Sequence, residues 1–166
     1  SDLRVQLLGG GAILREVEAA AAMLENDYQV AADVWSLTSV NELQREGKAV
    51  QRWNLLHPEA QPRVPYVTAM LQQAGGPFVA ATDYLKVYAD QIREFVPGSY
   101  TVLGTDGFGR SDTRRKLREF FEVSREYIVI AALKALADEG RIERSRVAQA
   151  MAALGMDPDK PNPLTV

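Results

Sequence analysis

Short apolar runs of strand length alternate with segments of helical period along this chain, which is the sequence pattern of βα units. Residues 3–8 predict a first strand, and after the GGG turn the apolar residues recur at steps of three and four, as they do on one face of a helix. Residues 30–35 predict a second strand, apolar except for Asp33, as expected where helices cover both faces of a sheet. The pattern therefore predicts a parallel sheet flanked by helices.

The rest of the chain continues the pattern. FVAA and YTVLG predict the third and fourth strands. A helix is predicted to begin after Ser39 and to end at Gly47, and residues 48–65, with three prolines, are predicted to be irregular. Further helices are predicted over residues 66–73 and 85–95, after Ser124 up to Gly140, and from Ser145 to Gly155, and a tail without regular structure over 156–166.

Right-handed crossovers with one return past the first strand give the predicted architecture. We expect one α/β domain over residues 1–166, with three α/β/α layers and a mainly parallel four-stranded sheet in the order 2-1-3-4. Its 166 residues are enough to bury a real core. Because Ser1 is followed at once by strand-like residues, we also expect the chain to be a fragment of a longer protein.

Composition and charge exclude several classes of protein. The chain has 19 Lys and Arg against 22 Asp and Glu, a formal charge of −3, which is too balanced for the positive field that non-specific nucleic-acid binding needs. It has no cysteine, which excludes disulfides, thiolate zinc sites and a cysteine nucleophile and agrees with a cytoplasmic location. No apolar run reaches the ~20 residues of a membrane span, so we expect no membrane partner.

LLGGGAIL is the candidate phosphate loop, because a strand that runs into glycines at a helix N-terminus offers free N–H groups to an anion. Gly9 and Gly11 fit the first two positions of G-x-G-x-x-G, but Leu14 occupies the third. Asp33 lies at a distance suited to a nucleotide ribose. The broken fingerprint favours a tight strand-to-helix turn over a dinucleotide site.

His57 is the only histidine, so any Ser-His-Asp arrangement would need it, and no G-x-S-x-G nucleophile turn occurs. We expect His57 to be a structural or interface residue. A metal site would need three or four convergent ligands; Asp106 with Asp112 could supply oxygens, but nearby arginines would compete with a cation. The sequence thus predicts no catalytic, cofactor-binding or metal-binding residue in this chain.

The stretch GTDGFGRSDTRRKL, residues 104–117, combines three glycines with charged residues around Phe108. Glycines on both sides free the backbone and favour an outward-pointing aromatic ring. Exposed aromatics flanked by Arg and Asp are more often anchors of a protein contact than parts of a reaction. The alternative is a Phe108 folded back onto its own core.

Three segments together, VLGTDGFGRSDTRRKLREFFEV, QRWNLLHPEAQPRVPYV and ATDYLKVYADQIREFVPG, resemble the C-terminal domain of the homodimeric, bacterial type of pyruvate dehydrogenase, in the transketolase superfamily. The resemblance covers essentially the whole chain. It implies that the full-length protein uses thiamine diphosphate and Mg²⁺ to decarboxylate pyruvate and to acetylate the lipoyl group of the acetyltransferase component of a multienzyme complex. It also implies an antiparallel strand supplied by residues that precede this chain, without which the strand at 30–35 is an exposed edge.

The family's cofactor residues are not found here. Its metal-diphosphate motif is Gly-Asp-Gly followed downstream by Asn-Asn, whereas this chain has TDG at 105–107 and no Asn in IAALKALADEG. The resemblance therefore implies a non-catalytic assembly domain that contacts its sister domains and the second subunit. Its expected interface residues are Asp106, Phe108, Arg110, Ser111, Asp112 and His57. A free-standing Rossmann-like module that binds a small anion or nucleotide at GGG remains the alternative.

Overall fold

The computed structural model describes residues 2–105 and 114–165. Within them four parallel strands form one sheet in the order β2-β1-β3-β4, with β2 and β4 at its edges. This confirms the predicted strand order. Gln6 on the central strand lies opposite Asp33 on one side and Phe78 on the other. The strands are β1 (Arg4–Gly10), β2 (Ala31–Ser36), β3 (Phe78–Thr82) and β4 (Tyr100–Leu103).

The helices follow the strands in the predicted alternation. In chain order they are α1 (Leu14–Tyr28), α2 (Val40–Leu56), α3 (Tyr66–Leu71), α4 (Lys86–Asp90), α5 (Arg114–Phe120), α6 (Arg125–Asp138) and α7 (Arg144–Ala153). Short 3₁₀ turns cover Gly11–Ile13, Arg93–Phe95 and Pro163–Thr165. The last of these lies in the segment 156–166 that was expected to have no regular structure.

Two hydrophobic cores lie on opposite faces of the sheet because successive strand residues point to opposite sides. Leu7 and Val79 face the first core, which α1, α6 and α7 cover. Leu8 and Ala80 face the second core, which α2, α3 and α4 cover. The three layers of the predicted α/β/α architecture are therefore present.

Gly47 does not end α2, so that prediction was wrong. The helix continues for nine more residues, through Gly47 to Leu56. A Cβ at Gly47 would lie 2.6 Å from two ring atoms of Phe95, so the glycine lets the helix backbone approach that buried ring. The residue type was read as a stop signal, whereas tertiary packing requires it. The irregular excursion accordingly begins at His57 rather than at residue 48.

The predicted helix over 85–95 is also interrupted. It consists of α4 and, separately, the 3₁₀ turn Arg93–Phe95. The Ala89 carbonyl, which in a continuous helix would accept from the N–H of Arg93, instead accepts a hydrogen bond from the Tyr100 hydroxyl at 2.8 Å. A bond from the neighbouring strand thus competes with continuation of the helix.

The other helix boundaries agree more closely with the sequence. Ser124 occupies the N-cap of α6 as predicted, although its hydroxyl makes no capping bond. Gly140 and Gly155 follow α6 and α7 with φ values of +72° and +68°, as predicted for terminating glycines. The last helix has Glu143 rather than Ser145 at its N-cap.

Candidate functional site

The GGG turn connects β1 to α1, and its geometry is that of close packing. Gly11 has a φ of +63°, and a Cβ there would lie 2.3 Å from Oδ1 of Asp83. A Cβ at Gly9 would lie 2.9 Å from Cδ1 of Leu14, the residue that breaks the fingerprint. The carboxylate of Asp83 thus sits directly against the turn, where an external anion would have to bind. This geometry favours the tight-turn reading of LLGGGAIL.

Asp33 is bound within its own domain. Its carboxylate accepts hydrogen bonds from Arg4 at 2.6 Å and from Gln6 at 2.7 Å. The fully buried Gln6 side chain also donates to the Gly75 carbonyl and accepts from the Trp35 indole at 2.7 Å. Burial raises the pKa of Asp33, but the bonds from Gln6 and Arg4 and the charge of Arg4 outweigh it and lower that pKa. Asp33 therefore holds β2 to β1.

A cavity of about 370 Å³ lies at the carboxyl ends of β1 and β3, beside the point where the chain order of the sheet reverses. Crevices at such points are the usual ligand sites of open α/β sheets. Its wall is mostly apolar, with Asp83, Thr105 and Arg118 as polar groups. Thr105 is fixed there, because its hydroxyl donates to the Asp83 carbonyl and its N–H to the Tyr84 carbonyl.

The predicted interface loop begins beside this cavity. Thr105, the first residue of this loop, and Leu117 and Arg118 of α5 line the same cavity wall. The predicted interface residues Asp106, Phe108, Arg110, Ser111 and Asp112 lie outside the described residues, so their role stays a prediction.

His57 lies directly after α2 and is exposed. Its Nδ1 donates a hydrogen bond to the Trp53 carbonyl at 2.8 Å, and its ring stacks on the Trp53 indole with centroids 4.2 Å apart. The Arg63 guanidinium lies 3.7 Å from the centre of the same indole. Two groups this close to one ring fit only on opposite faces, so Trp53 is sandwiched between them. Among the described residues no carboxylate bonds to His57, which disfavours a catalytic triad.

Residues 2–105 and 114–165 contain no group of three or more His, Cys, Asp or Glu side chains arranged to hold a metal ion. Nor does this part of the chain contain a helix long and apolar enough to cross a membrane.

The Trp53 stack and the position of Asp83 were not predicted from the sequence. Trp53 and His57 are four residues apart, the spacing of neighbours on one helix face. This spacing could have indicated the contact, but the helix was predicted to end at Gly47, before both residues. The position of Asp83 depends on the pairing of β1 with β3, which local sequence does not encode.

The family model and the relatives that match this chain point to the same family of proteins. Residues 1–124 match the model of the transketolase-like C-terminal domain. The chain is 60% identical over 161 residues to the pyruvate dehydrogenase E1 component of Pseudomonas aeruginosa and 53% identical over 161 residues to that of Escherichia coli K12. Each alignment covers 96% of this chain and 18% of the relative, so the chain spans less than a fifth of their length.

A solved structure described as a split gene transketolase, inactive beta4 tetramer, shares the fold. It superimposes with a TM-score of 0.55 at 20% identity, over 81% of this chain and 39% of that one. The resemblance recognised in the sequence is confirmed by these comparisons.

Proposed function

Because the chain belongs to the family of transketolase-like C-terminal domains, we propose that it is the C-terminal domain of a pyruvate dehydrogenase E1 component. The observation that carries this proposal is the 60% identity to the Pseudomonas aeruginosa protein along 96% of the chain. The full-length protein would then decarboxylate pyruvate and transfer the acetyl group to the lipoyl arm of an acetyltransferase component. Thiamine diphosphate and Mg²⁺ would supply the carbanion chemistry of that step.

The role of this domain is assembly rather than chemistry. The chain lacks the Gly-Asp-Gly and Asn-Asn pattern that holds the metal and diphosphate in this family, because Thr105 stands in place of the first glycine of Gly-Asp-Gly and IAALKALADEG contains no asparagine. The cofactor is therefore held by other parts of the protein. The contacts of this domain are with its sister domains, with a second subunit of a homodimer and, within the complex, with the acetyltransferase component.

The loop TDGFGRSD, residues 105–112, is the proposed contact nearest the sheet's carboxyl edge. Phe108 inserts into a neighbouring domain, while Asp106, Arg110, Ser111 and Asp112 hold the loop's shape or pair across the contact. The support for this placement is the strand-to-loop connection at Thr105, which lies at the edge where loops of open α/β sheets make functional contacts.

The test of the assembly role is Phe108→Ala in the full-length protein. Truncating a buried aromatic anchor typically weakens association by about 2 kcal/mol or more. We expect weaker dimer association in analytical ultracentrifugation and a slower acetyl-transfer rate. Leu164→Ala, at an exposed apolar residue remote in sequence, is the matched control and leaves both unchanged. Wild-type values of both quantities for Phe108→Ala would contradict the interface role of the loop.

The second candidate function, a free-standing module that binds a small anion at GGG, is disfavoured by the Asp83 carboxylate against Gly11. Calorimetric titration of the chain with inorganic phosphate and with nucleotides separates the two proposals. Binding tighter than about millimolar (about −4 kcal/mol) would favour the anion-binding module. The assembly proposal predicts no measurable heat of binding.

A further inference from the structure

Ten large apolar side chains are prominently exposed among the described residues, and half of them lie within 16 consecutive positions. They are Leu55, Leu56, Val64, Tyr66 and Met70, and each exposes between 44% and 76% of its surface. We call them the apolar strip. We propose that the apolar strip is the surface on which the remainder of the same polypeptide packs. This inference rests on the proposed function, since it takes the chain to be one domain of a longer protein.

Hydrogen bonds between side chains and backbone place the two parts of the strip next to each other. The Asn54 side chain donates to the Arg63 carbonyl at 3.0 Å and accepts from the Arg63 N–H at 2.8 Å. Further along, Glu46 accepts from the N–H of Tyr66 at 2.9 Å. The segment after His57 therefore runs back along α2, from its C-terminal end towards its middle. This path places Val64 beside the last turn of α2, which carries Leu55 and Leu56.

The segment that carries the strip is held in place before any partner binds. The indole of Trp53 lies between His57 and Arg63, and three prolines in residues 58–65 restrict the backbone further. A surface ordered in advance loses little conformational entropy on association, so more of the contact energy appears as affinity. A segment whose only role was to connect α2 to α3 would need no such restraint.

The strip continues into a groove at its α3 end. Tyr66 and Met70, four residues apart on one face of α3, border a cavity of about 280 Å³ whose other walls include Trp35, Leu43 and Leu37. Ser36, Thr38 and Ser39 also line this cavity. The groove therefore combines apolar walls, which can receive apolar side chains of a partner, with hydroxyl groups of the kind found at the polar rim of a protein contact.

The exposed area agrees with an interface. Aromatic side chains bury roughly 150–250 Å² each and aliphatic ones somewhat less, so five that are about half exposed offer roughly 400–500 Å². That lies within the ~300–600 Å² of the largest apolar patch on a typical monomer, a patch that often has a function. It is also about half of the ~800 Å² that one partner contributes to a standard interface. The strip can therefore supply a substantial part of one side of a protein contact.

The occupant of the apolar strip is the rest of the same polypeptide, because the relatives are much longer than this chain. Their alignments leave 82% of the relative unmatched, since this chain covers 18% of it. Tethering a neighbouring domain to this one raises its effective concentration to the millimolar range without any new contact. A second copy, or another protein, is an alternative occupant that the following experiment distinguishes.

The experiment is photo-crosslinking in the full-length protein, with p-benzoylphenylalanine incorporated in place of Leu55. Irradiation is expected to give a crosslink that stays at the mass of one polypeptide in a denaturing gel and that joins position 55 to a peptide outside these 166 residues. The same photoreactive group in place of the exposed Gln149 of α7 is the matched control and gives no such crosslink. A covalent dimer, a crosslink to another protein or no crosslink at position 55 would overturn the proposal.

A second variant covers the case in which the photoreactive side chain fails to insert. Leu55→Asp places a charge on an exposed position and so spares the core. In the full-length protein it is expected to make proteolytic release of this domain at least about tenfold faster, which corresponds to about 1.4 kcal/mol of lost docking energy. Gln149→Asp leaves the release rate unchanged. An unchanged rate for Leu55→Asp would contradict the docking of this surface.

Failure of the docking surface and failure of the proposed function give different experimental results. Absence of pyruvate decarboxylation by the full-length protein would reject the proposed function, whatever position 55 contacts. A full-length protein that decarboxylates pyruvate but gives no crosslink at position 55 would reject only the docking surface.

Discussion

Gly47→Ala tests how the second core limits the sequence of α2. A Cβ at this position would lie 2.6 Å from Cε2 and Cζ of Phe95 and 2.8 Å from Cε1. Carbon atoms in contact are about 3.5–4.0 Å apart, so the new methyl group overlaps one edge of the ring. The substitution therefore sets a local gain in helix propensity against a steric cost in the core.

The two effects have opposite signs, and their magnitudes decide the outcome. Replacing glycine by alanine inside a helix favours folding by about 1 kcal/mol. Overpacking a core costs about 1–3 kcal/mol. Phe95 is 3% exposed, and its carbonyl accepts a hydrogen bond from Thr68, so the ring has little room to withdraw. We expect the steric cost to exceed the gain, with a net loss of about 1–2 kcal/mol.

Urea unfolding followed by circular dichroism measures this change in the free energy of unfolding. In the double variant with Phe95→Leu the two substitutions should be less harmful together than the sum of their separate effects, because the smaller side chain removes the overlap. Ala49→Gly, at an exposed position of the same helix, is the control and should cost up to about 1 kcal/mol. A Gly47→Ala protein that is more stable than wild type by about 1 kcal/mol would refute the packing explanation.

Three further predictions concern the turn and two ion-paired carboxylates. Gly11→Ala should lower the urea midpoint, by about 1–2 kcal/mol in free energy, because φ is +63° and the new Cβ meets Asp83; adding Asp83→Ala should restore the steric part only. The buried Glu16 carboxylate forms an ion pair with Arg125 at 2.8 Å, and the Arg125 side chain is about half exposed. Glu16→Gln should therefore destabilise the domain by about 1–2 kcal/mol, which is less than the loss of a fully buried ion pair would cost, as equilibrium unfolding would measure. The pKa of Asp33 is lowered in the folded state, so its ionised form stabilises the fold above the unfolded pKa of about 3.9. This contribution is lost as the pH falls through the pKa of the folded state. Asp33→Asn should therefore make the free energy of unfolding less dependent on pH below about 4.

Alternation of strand and helix signals was enough to predict the sheet order and the three layers. This worked because both central strands are almost wholly buried on both faces and therefore appear in the sequence as short, mainly apolar runs. The glycines after α6 and α7 were also informative, because their positive φ values follow from local chain geometry.

The features that sequence missed depend on contacts between distant elements. Gly47 resembles a helix terminator until Phe95, 48 residues later, is brought against it. Asp33 resembled a candidate ribose ligand until the register of β1 and β2 placed Arg4 and Gln6 beside it. Glycine suits both a helix end and a close packing contact, and aspartate suits both a ligand site and a structural ion pair. Only the tertiary arrangement selects between these roles.

The proposed function makes this chain a non-catalytic domain of a pyruvate-decarboxylating enzyme. The most direct measurement is release of carbon dioxide from labelled pyruvate, with thiamine diphosphate and Mg²⁺ present, by the full-length protein and by the 166-residue chain in parallel. We expect release by the full-length protein and none by the 166-residue chain alone. Release by the isolated chain, or no release by the full-length protein, would contradict the proposed function.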